Sequence, residues 1–196
     1  FEHFPLKVGN RLQDPLYEQG KKAALAFLVN RGYLKASFQE HQILVDTQTH
    51  KAKIRLILES GPLYYFGPVQ LNNTPFDESF LKRYIPFELN APFEGQRLTE
   101  LQSALNNSQY FKSVSITPLF PVDDSRIVPI QTELRMREPN QYQIGLGYGT
   151  DTSVRGILNY KRRYLNRWGH QLGASLAYSG LRDRMEVFYT IPGKHP

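Results

Sequence analysis

The chain has 196 residues, of which 40% are apolar and 13% aromatic, and its mean hydropathy is −0.47. The longest unbroken apolar run is AALAFLV (23–29), which excludes a membrane-spanning helix, since such a helix needs about 20 apolar residues. There is no cysteine, which excludes disulfides and thiolate metal sites but leaves the cellular compartment open. The net charge of +6 is concentrated in residues 137–196, which carry nine Lys or Arg and four Asp or Glu. A basic end suits nucleic acid, anionic lipid or simply solvated strand ends, so charge alone selects no function.

An internal repeat organises the first two thirds of the chain. LVNRGYLKASF (28–38) aligns with LNNSQYFKSVS (105–115), since both begin with Leu, share an Asn two residues later and share a Tyr and a Lys. Similarity at a fixed offset identifies a structural unit that occurs twice.

The first copy begins with a helix, because Tyr17, Ala24, Leu25 and Leu28 recur at helical spacing. Gly32 is suited to a left-handed cap at its end. Two strands over 35–45 and 51–58 follow, separated by a turn at 46–50.

The second copy adds the start of the unit. LYYFGPVQL (63–71) predicts a strand, DESFLKRYI (77–85) a short helix, and 86–92 a linker to a longer helix through Leu98, Leu101, Ala104 and Leu105. Two alternating strands end the unit, one through Val114 and Ile116 and one through Ile130, Thr132, Leu134 and Met136, with a turn at 121–125 between them. The repeating unit is therefore β-α-α-β-β. Aligning residues 3–10 with 84–91 predicts that the first copy, 1–60, lacks its opening strand and most of its short helix, whereas the second, 61–138, is complete. The chain also begins without Met or a leader, so we expect a processed chain or a fragment.

The last segment, 139–196, has four stretches that alternate with a period of two. Their apolar residues are Tyr142, Ile144, Leu146 and Tyr148; Val154, Leu158, Tyr160 and Tyr164; Leu172, Ala174, Leu176 and Tyr178; and Met185, Val187, Tyr189 and Ile191. Gly156 and Arg162 share the face of the second group. Turn-rich residues join the stretches.

Two interpretations fit this alternation: a half-buried soluble sheet, or strands of a membrane barrel. Stretches of about ten residues and tyrosines near their ends (Tyr142, Tyr148, Tyr164 and Tyr178), with Trp168 in a turn, favour the barrel. Arg162 is tolerable there only near an interface, where its cost is about 0–1 kcal/mol instead of 2–4 at the midplane. Four strands cannot close a barrel, so we expect a truncated one.

Four strings carry a family resemblance: RGYLKASF (31–38), SGPLYYFGPVQLNN (60–73), SQYFKSVSITP (108–118) and GLGYGTDTSVRGILNYKRRYLNRWGHQLGASL (145–176). They resemble the Omp85 superfamily, most closely its TamA branch, whose periplasmic modules are called POTRA domains. The resemblance implies an α+β fold of tandem POTRA modules followed by the first antiparallel strands of a transmembrane β-barrel in the outer membrane. It also implies assistance in folding outer-membrane proteins and autotransporters. The implied partners are outer-membrane client proteins, a TamB-like inner-membrane-anchored partner and the lipid bilayer. Motifs diagnostic of the later barrel strands and a further upstream module have no counterpart here.

The resemblance further implies that the first barrel strand, 142–150, lies at a weakly paired seam that opens sideways as a lateral gate. The residues concerned are Tyr142, Ile144, Gly145, Leu146, Gly147, Tyr148 and Gly149. Glycines on one face of a strand give it little packing and a flexible backbone. We hypothesise that this strand templates a client strand; alternatively, the glycines only relieve crowding inside the barrel.

Other functions remain as alternatives. An enzyme is disfavoured, because the histidines (His3, His41, His50, His170 and His195) are scattered, no catalytic or phosphate-binding motif occurs, and Asp123-Asp124 lies in a turn. We expect His41 and His50 to be exposed, and no cofactor or metal. A transporter of the same superfamily that secretes one dedicated protein fits equally well. A nucleic-acid binder would use KRRY (161–164), which the strand explains better. The module edges either accept an extended segment or belong to a spacer.

Overall fold

A computed structural model describes residues 4–72, 74–121, 124–149, 153–180 and 182–193. His3, Asp123, His195 and Thr150, the last residue of the predicted strand 142–150, lie outside these ranges, as do residues 151–152. The elements, in chain order, are α1 (Asp14–Val29), β1 (Ser37–Asp46), β2 (Lys51–Glu59), β3 (Tyr65–Gln70), α2 (Glu78–Leu81) with a 3₁₀ turn (Lys82–Tyr84), α3 (Gly95–Asn107), β4 (Phe111–Pro118), β5 (Ile127–Met136), β6 (Asn140–Gly149), β7 (Ser153–Arg162), β8 (Gln171–Ser179) and β9 (Arg184–Thr190). None of the helices in the described ranges is long and apolar enough to cross a membrane.

Three antiparallel sheets organise these strands: the hairpin β1-β2, a three-stranded sheet ordered β3-β5-β4, and a four-stranded sheet ordered β6-β7-β8-β9. The chain divides into two compact units. One holds residues 1–68, 87–98 and 118–130, and the other holds 69–86, 99–117 and 131–196. The β-α-α-β-β module of 61–138 therefore contributes segments to both.

In the first unit, local signals set the ends of α1. Pro15 occupies its first turn, where proline has no backbone donor to lose. Gly32 ends it at φ +91°, and the amide of Tyr33 donates to the carbonyl of Leu28 at 3.1 Å, the bond expected of a glycine-terminated helix. The turn between β1 and β2 is held by Asp46, whose carboxylate accepts three hydrogen bonds. The main buried apolar residues of this unit are Tyr17, Tyr64, Phe66, Phe93, Val128 and Ile130.

In the second unit, a short helix is fixed by its cap. Asp77 precedes α2 and accepts a hydrogen bond from the amide of Ser79 at 2.9 Å, and the bonds from Ser79 lower the pKa of Asp77. The buried Thr132 hydroxyl donates to the carbonyl of Gln70 at 2.6 Å, tying β5 to the end of β3. The apolar core comprises Phe76, Phe80, Leu81, Tyr84, Leu101, Leu105, Tyr110, Phe111, Val114 and Leu134.

Candidate functional site

β6 lies at one edge of the four-stranded sheet. It pairs with β7 through all ten of its residues, from Asn140 opposite Arg162 to Gly149 opposite Ser153. Its other edge has no strand partner within the described ranges. A free edge of this length presents a row of backbone donors and acceptors that another strand can satisfy.

One face of the sheet is apolar from edge to edge. The register places Ile144 opposite Leu158, and Leu158 opposite Leu176, so these positions form a row across three strands. The same face carries Tyr142, Leu146, Tyr148, Val154, Tyr160, Leu172, Tyr178, Met185, Val187 and Tyr189. Leu146 is 85% exposed and Val187 is 62% exposed. A contiguous exposed apolar surface of this kind marks a membrane or protein contact.

The opposite face is mostly polar or small, although it also carries Ile157 and Phe188. Asn159 accepts a hydrogen bond from the Ser175 hydroxyl at 2.7 Å, and the ring of Phe188 covers Gly173 across the strand pair. On β6, a side chain at Gly147 would meet no atom within 4 Å, and one at Gly145 would meet only Ile157. In the described ranges these two positions are therefore loosely packed, and glycine there gives the backbone of β6 extra conformational freedom.

Arg162 lies on the apolar face but at its very end, because its partner Asn140 is the first residue of β6. Tyr142 and Tyr160 are paired beside it, with ring centroids 5.1 Å apart. The assignment of Tyr164 to this face is wrong. The strand ends at Arg162, and the Tyr164 ring instead packs edge-on against Phe76 at 5.6 Å.

The turn between β7 and β8, residues 163–170, is joined to the helices and strands that precede the sheet. The hydroxyl of Tyr110, which is 2% exposed, donates to the carbonyl of Gly169 at 2.6 Å. The amide of Asp77 donates to the carbonyl of Arg167 at 3.0 Å. Burial raises the pKa of Tyr110, so the phenol stays protonated and remains a donor. We call this set of contacts the joint.

Gly169 makes the joint possible. Its φ is +72°, and a Cβ there would lie 2.5 Å from Cζ of Phe80 and 2.9 Å from the Tyr110 hydroxyl. Both the backbone conformation and the space require glycine. Asn166 shapes the same turn by accepting from the amides of Trp168 and His170.

The joint was not predicted from the sequence. Each of its residues has a sufficient local explanation, since Asp77 precedes a helix, Tyr110 belongs to the repeated motif of 105–115 and Gly169 lies in a turn. One signal in the sequence could have indicated the joint. The short helix of 77–85 and its flanks carry several aromatic residues, and so short a helix cannot bury them without another part of the chain.

The remaining predicted residues do not gather into a reactive site. His41 and His50 are exposed on the β1-β2 hairpin, as expected. His170 contacts the Tyr189 hydroxyl at 2.5 Å. No group of three or more potential metal ligands occurs among the residues that the structure describes.

Comparison with known proteins identifies one domain and one fold. Residues 64–135 match the family profile "POTRA: Surface antigen variable number repeat". This segment is therefore similar to a POTRA domain.

Solved structures extend the likeness to most of the chain. BamA from Haemophilus ducreyi lacking POTRA domains 1–3 matches with a TM-score of 0.72 at 17% identity, covering 89% of this chain and 33% of that one. CdiB from Acinetobacter baumannii matches with a TM-score of 0.52 at 16% identity, covering 88% of this chain and 31% of that one. CdiB from Escherichia coli gives 0.51 at 11% identity, with coverages of 85% and 30%. The chain thus has the α+β and antiparallel-sheet fold of these proteins and spans about a third of their length.

Proposed function

We propose that this protein acts in the outer membrane as an assembly factor of the Omp85 type, in which β6 forms one side of a lateral gate and templates strands of client proteins. β6 to β9 are then the first strands of a transmembrane barrel, and the preceding modules, in tandem, lie in the periplasm. There they bind clients or a TamB-like partner. The role is non-catalytic and needs no cofactor or nucleic acid.

The observation that carries this proposal is the combination of properties on β6. The strand has a free edge of ten residues, an exposed apolar face, and glycines on the other face that leave it poorly packed. In a bilayer each unsatisfied backbone group costs several kcal/mol. A client strand that pairs with this edge is therefore strongly favoured, while the glycines keep the pairing exchangeable.

Crosslinking tests the template. The test uses the protein expressed from its complete gene, with single cysteines at Gln143, Gly145 and Gly147. Each cysteine should form a disulfide with cysteines placed along a client barrel that is stalled during assembly. Asn159, on the same face but in the doubly paired strand β7, is the matched control and should form none. The proposal is refuted if no β6 position crosslinks in any register.

The bilayer placement has its own test. Leu158 lies mid-sheet between Ile144 and Leu176 on the apolar face, so Leu158→Arg should destabilise the protein in vesicles by about 2–4 kcal/mol. The control is Ile157→Arg, next in the chain but on the opposite face, for which we expect a much smaller change. Urea unfolding in phospholipid vesicles measures both, and equal effects would argue for a soluble sheet in a periplasmic binding module.

A dedicated secretion transporter is the second candidate, and the fold likeness to CdiB favours it. The two differ in their clients. Deleting an assembly factor should lower the amounts of several outer-membrane proteins. Deleting a transporter should retain a single exported protein. Quantitative proteomics of outer membrane and medium separates these outcomes.

A further inference from the structure

Three cations gather where β6 begins and β7 ends, beside the joint. They are Lys161, Arg163 and Arg137, and each donates to a neutral oxygen: Lys161 to the side chain of Gln109 at 3.0 Å, Arg163 to the side chain of Gln141 at 2.6 Å, and Arg137 to the carbonyl of Phe111 at 3.2 and 3.3 Å. We call these three side chains the basic cluster.

No member of the basic cluster forms an ion pair with a carboxylate among the described residues. Nε of Arg163 is buried without a hydrogen-bond partner there. Burial, and then the charge of Arg137, lower the pKa of Arg163. Arg163 thus has a buried unpaired donor beside two further positive charges, and a bound anion would satisfy that donor and reduce the repulsion.

The position of the cluster indicates which anion reaches it. Lys161 is opposite Gln141 in the register and so lies on the polar face. Arg162, the next residue, lies at the end of the apolar face. A lipid phosphate against the apolar face meets Arg162, whereas a group arriving at the polar face meets Lys161 and Arg163.

The direction of β6 indicates which end of an incoming strand would reach the basic cluster. β6 runs away from the cluster, so an antiparallel strand on its free edge ends at the cluster and brings its C-terminal end there. A parallel strand brings its N-terminal end, whose ammonium the cations repel. Neighbouring strands lie about 5 Å apart, and the Arg163 side chain already reaches β6 at Gln141.

We propose that Lys161, Arg163 and Arg137 form a carboxylate-binding site that receives the C-terminal carboxylate of a polypeptide strand pairing antiparallel with β6. The proposal rests on the function proposed above. A slip of one residue turns every side chain of a strand to the wrong face. A fixed carboxylate at one end prevents such a slip, so the site selects both the direction and the register of the incoming strand.

Peptide binding tests the site. The protein is expressed from its complete gene and purified in detergent. The probes are two fluorescent ten-residue peptides of alternating Val and Ser, one with a free C-terminal carboxylate and one amidated. We expect the carboxylate form to bind roughly tenfold or more tightly, as for a charge-assisted hydrogen bond. Lys161→Gln and Arg163→Gln should each reduce this preference, and together they should remove it. Arg162→Gln, the matched control, should leave it unchanged.

The other outcomes overturn the proposal in distinguishable ways. If both peptides bind the unmodified protein equally and crosslink to β6, the carboxylate site is wrong and the template function stands. If neither peptide binds or crosslinks, the template function itself fails, and the site with it. If Arg162→Gln lowers the preference as much as Lys161→Gln does, net charge and not this site is responsible. If the Lys161 and Arg163 variants instead reduce binding only to phosphatidylglycerol vesicles, the cluster is a lipid-headgroup site.

Discussion

Replacing Gly169 by alanine should loosen the joint without unfolding the rest of the protein. Two effects combine at this position. An L-residue at φ +72° costs about 1–2 kcal/mol. The new Cβ, 2.5 Å from Phe80 and 2.9 Å from the Tyr110 hydroxyl, adds an overpacking cost of about 1–3 kcal/mol. The expected loss is therefore about 2–5 kcal/mol.

Hydrogen exchange of the Asp77 amide is the most direct assay, because this amide donates across the joint to Arg167. A loss of about 2 kcal/mol corresponds to roughly 30-fold faster exchange of this amide. Peptides covering α3 and β5 should keep their protection, since the perturbation lies outside them.

Two further alanine variants separate the causes. Gly9 has φ +92° but open space around its Cβ position, so Gly9→Ala measures backbone strain alone. Gly147 has open space and no positive φ, so Gly147→Ala should not slow or speed exchange at the joint. If the Asp77 amide of Gly169→Ala exchanges within about threefold of its rate in the unmodified protein, Gly169 is not required for the joint.

Three other outcomes follow from named contacts. Tyr110→Phe should destabilise the joint by about 1–3 kcal/mol, because it leaves the buried carbonyl of Gly169 unsatisfied. Burial raises the pKa of Tyr110 in the folded protein. The contribution of Tyr110 to stability is therefore present below the unfolded pKa of about 10 and is lost as pH rises above it. Between pH 8 and pH 11, the exchange rate at the joint should thus increase less in Tyr110→Phe than in the unmodified protein. Thr132→Val should lower stability to urea by about 1–3 kcal/mol through the unpaired carbonyl of Gln70, and Thr132→Ser, which keeps the hydroxyl, should lower it less. Phe188→Ala should weaken the β8-β9 pairing by about 1 kcal/mol, seen as faster exchange in β9, because the glycine across the strand pair loses its cover.

The strands of this chain were largely predictable because alternation in sequence becomes alternation between faces. β6, β8 and β9 lie where their alternating residues placed them, except that β9 ends at Thr190 and leaves the predicted Ile191 outside it, and the apolar positions on these strands share one face. Tyr164 was misplaced because periodicity does not mark where a strand ends. Two residues past Arg162, the pattern continues in the sequence although the chain has already turned toward Phe76.

The joint and the basic cluster could not be predicted, because both depend on distances between residues far apart in the chain. Tyr110 and Gly169 are separated by 59 positions. Similarly, Lys161 and Arg163 read as ordinary solvated cations until the fold brings Arg137 close to them. Such sites depend on tertiary geometry, which neither helical nor strand periodicity encodes.

The joint also has a consequence for the order in which the chain folds. A meander of four strands needs its first hairpins closed before distant pairs can form, and closing a loop costs conformational entropy. Here the β7-β8 turn is held from outside the sheet, at Tyr110 and Asp77, so part of that entropy is already lost when the sheet begins to form. We therefore expect the POTRA-like segment, which contains Tyr110 and Asp77, to nucleate the sheet. In stopped-flow refolding, Gly169→Ala should slow formation of the sheet.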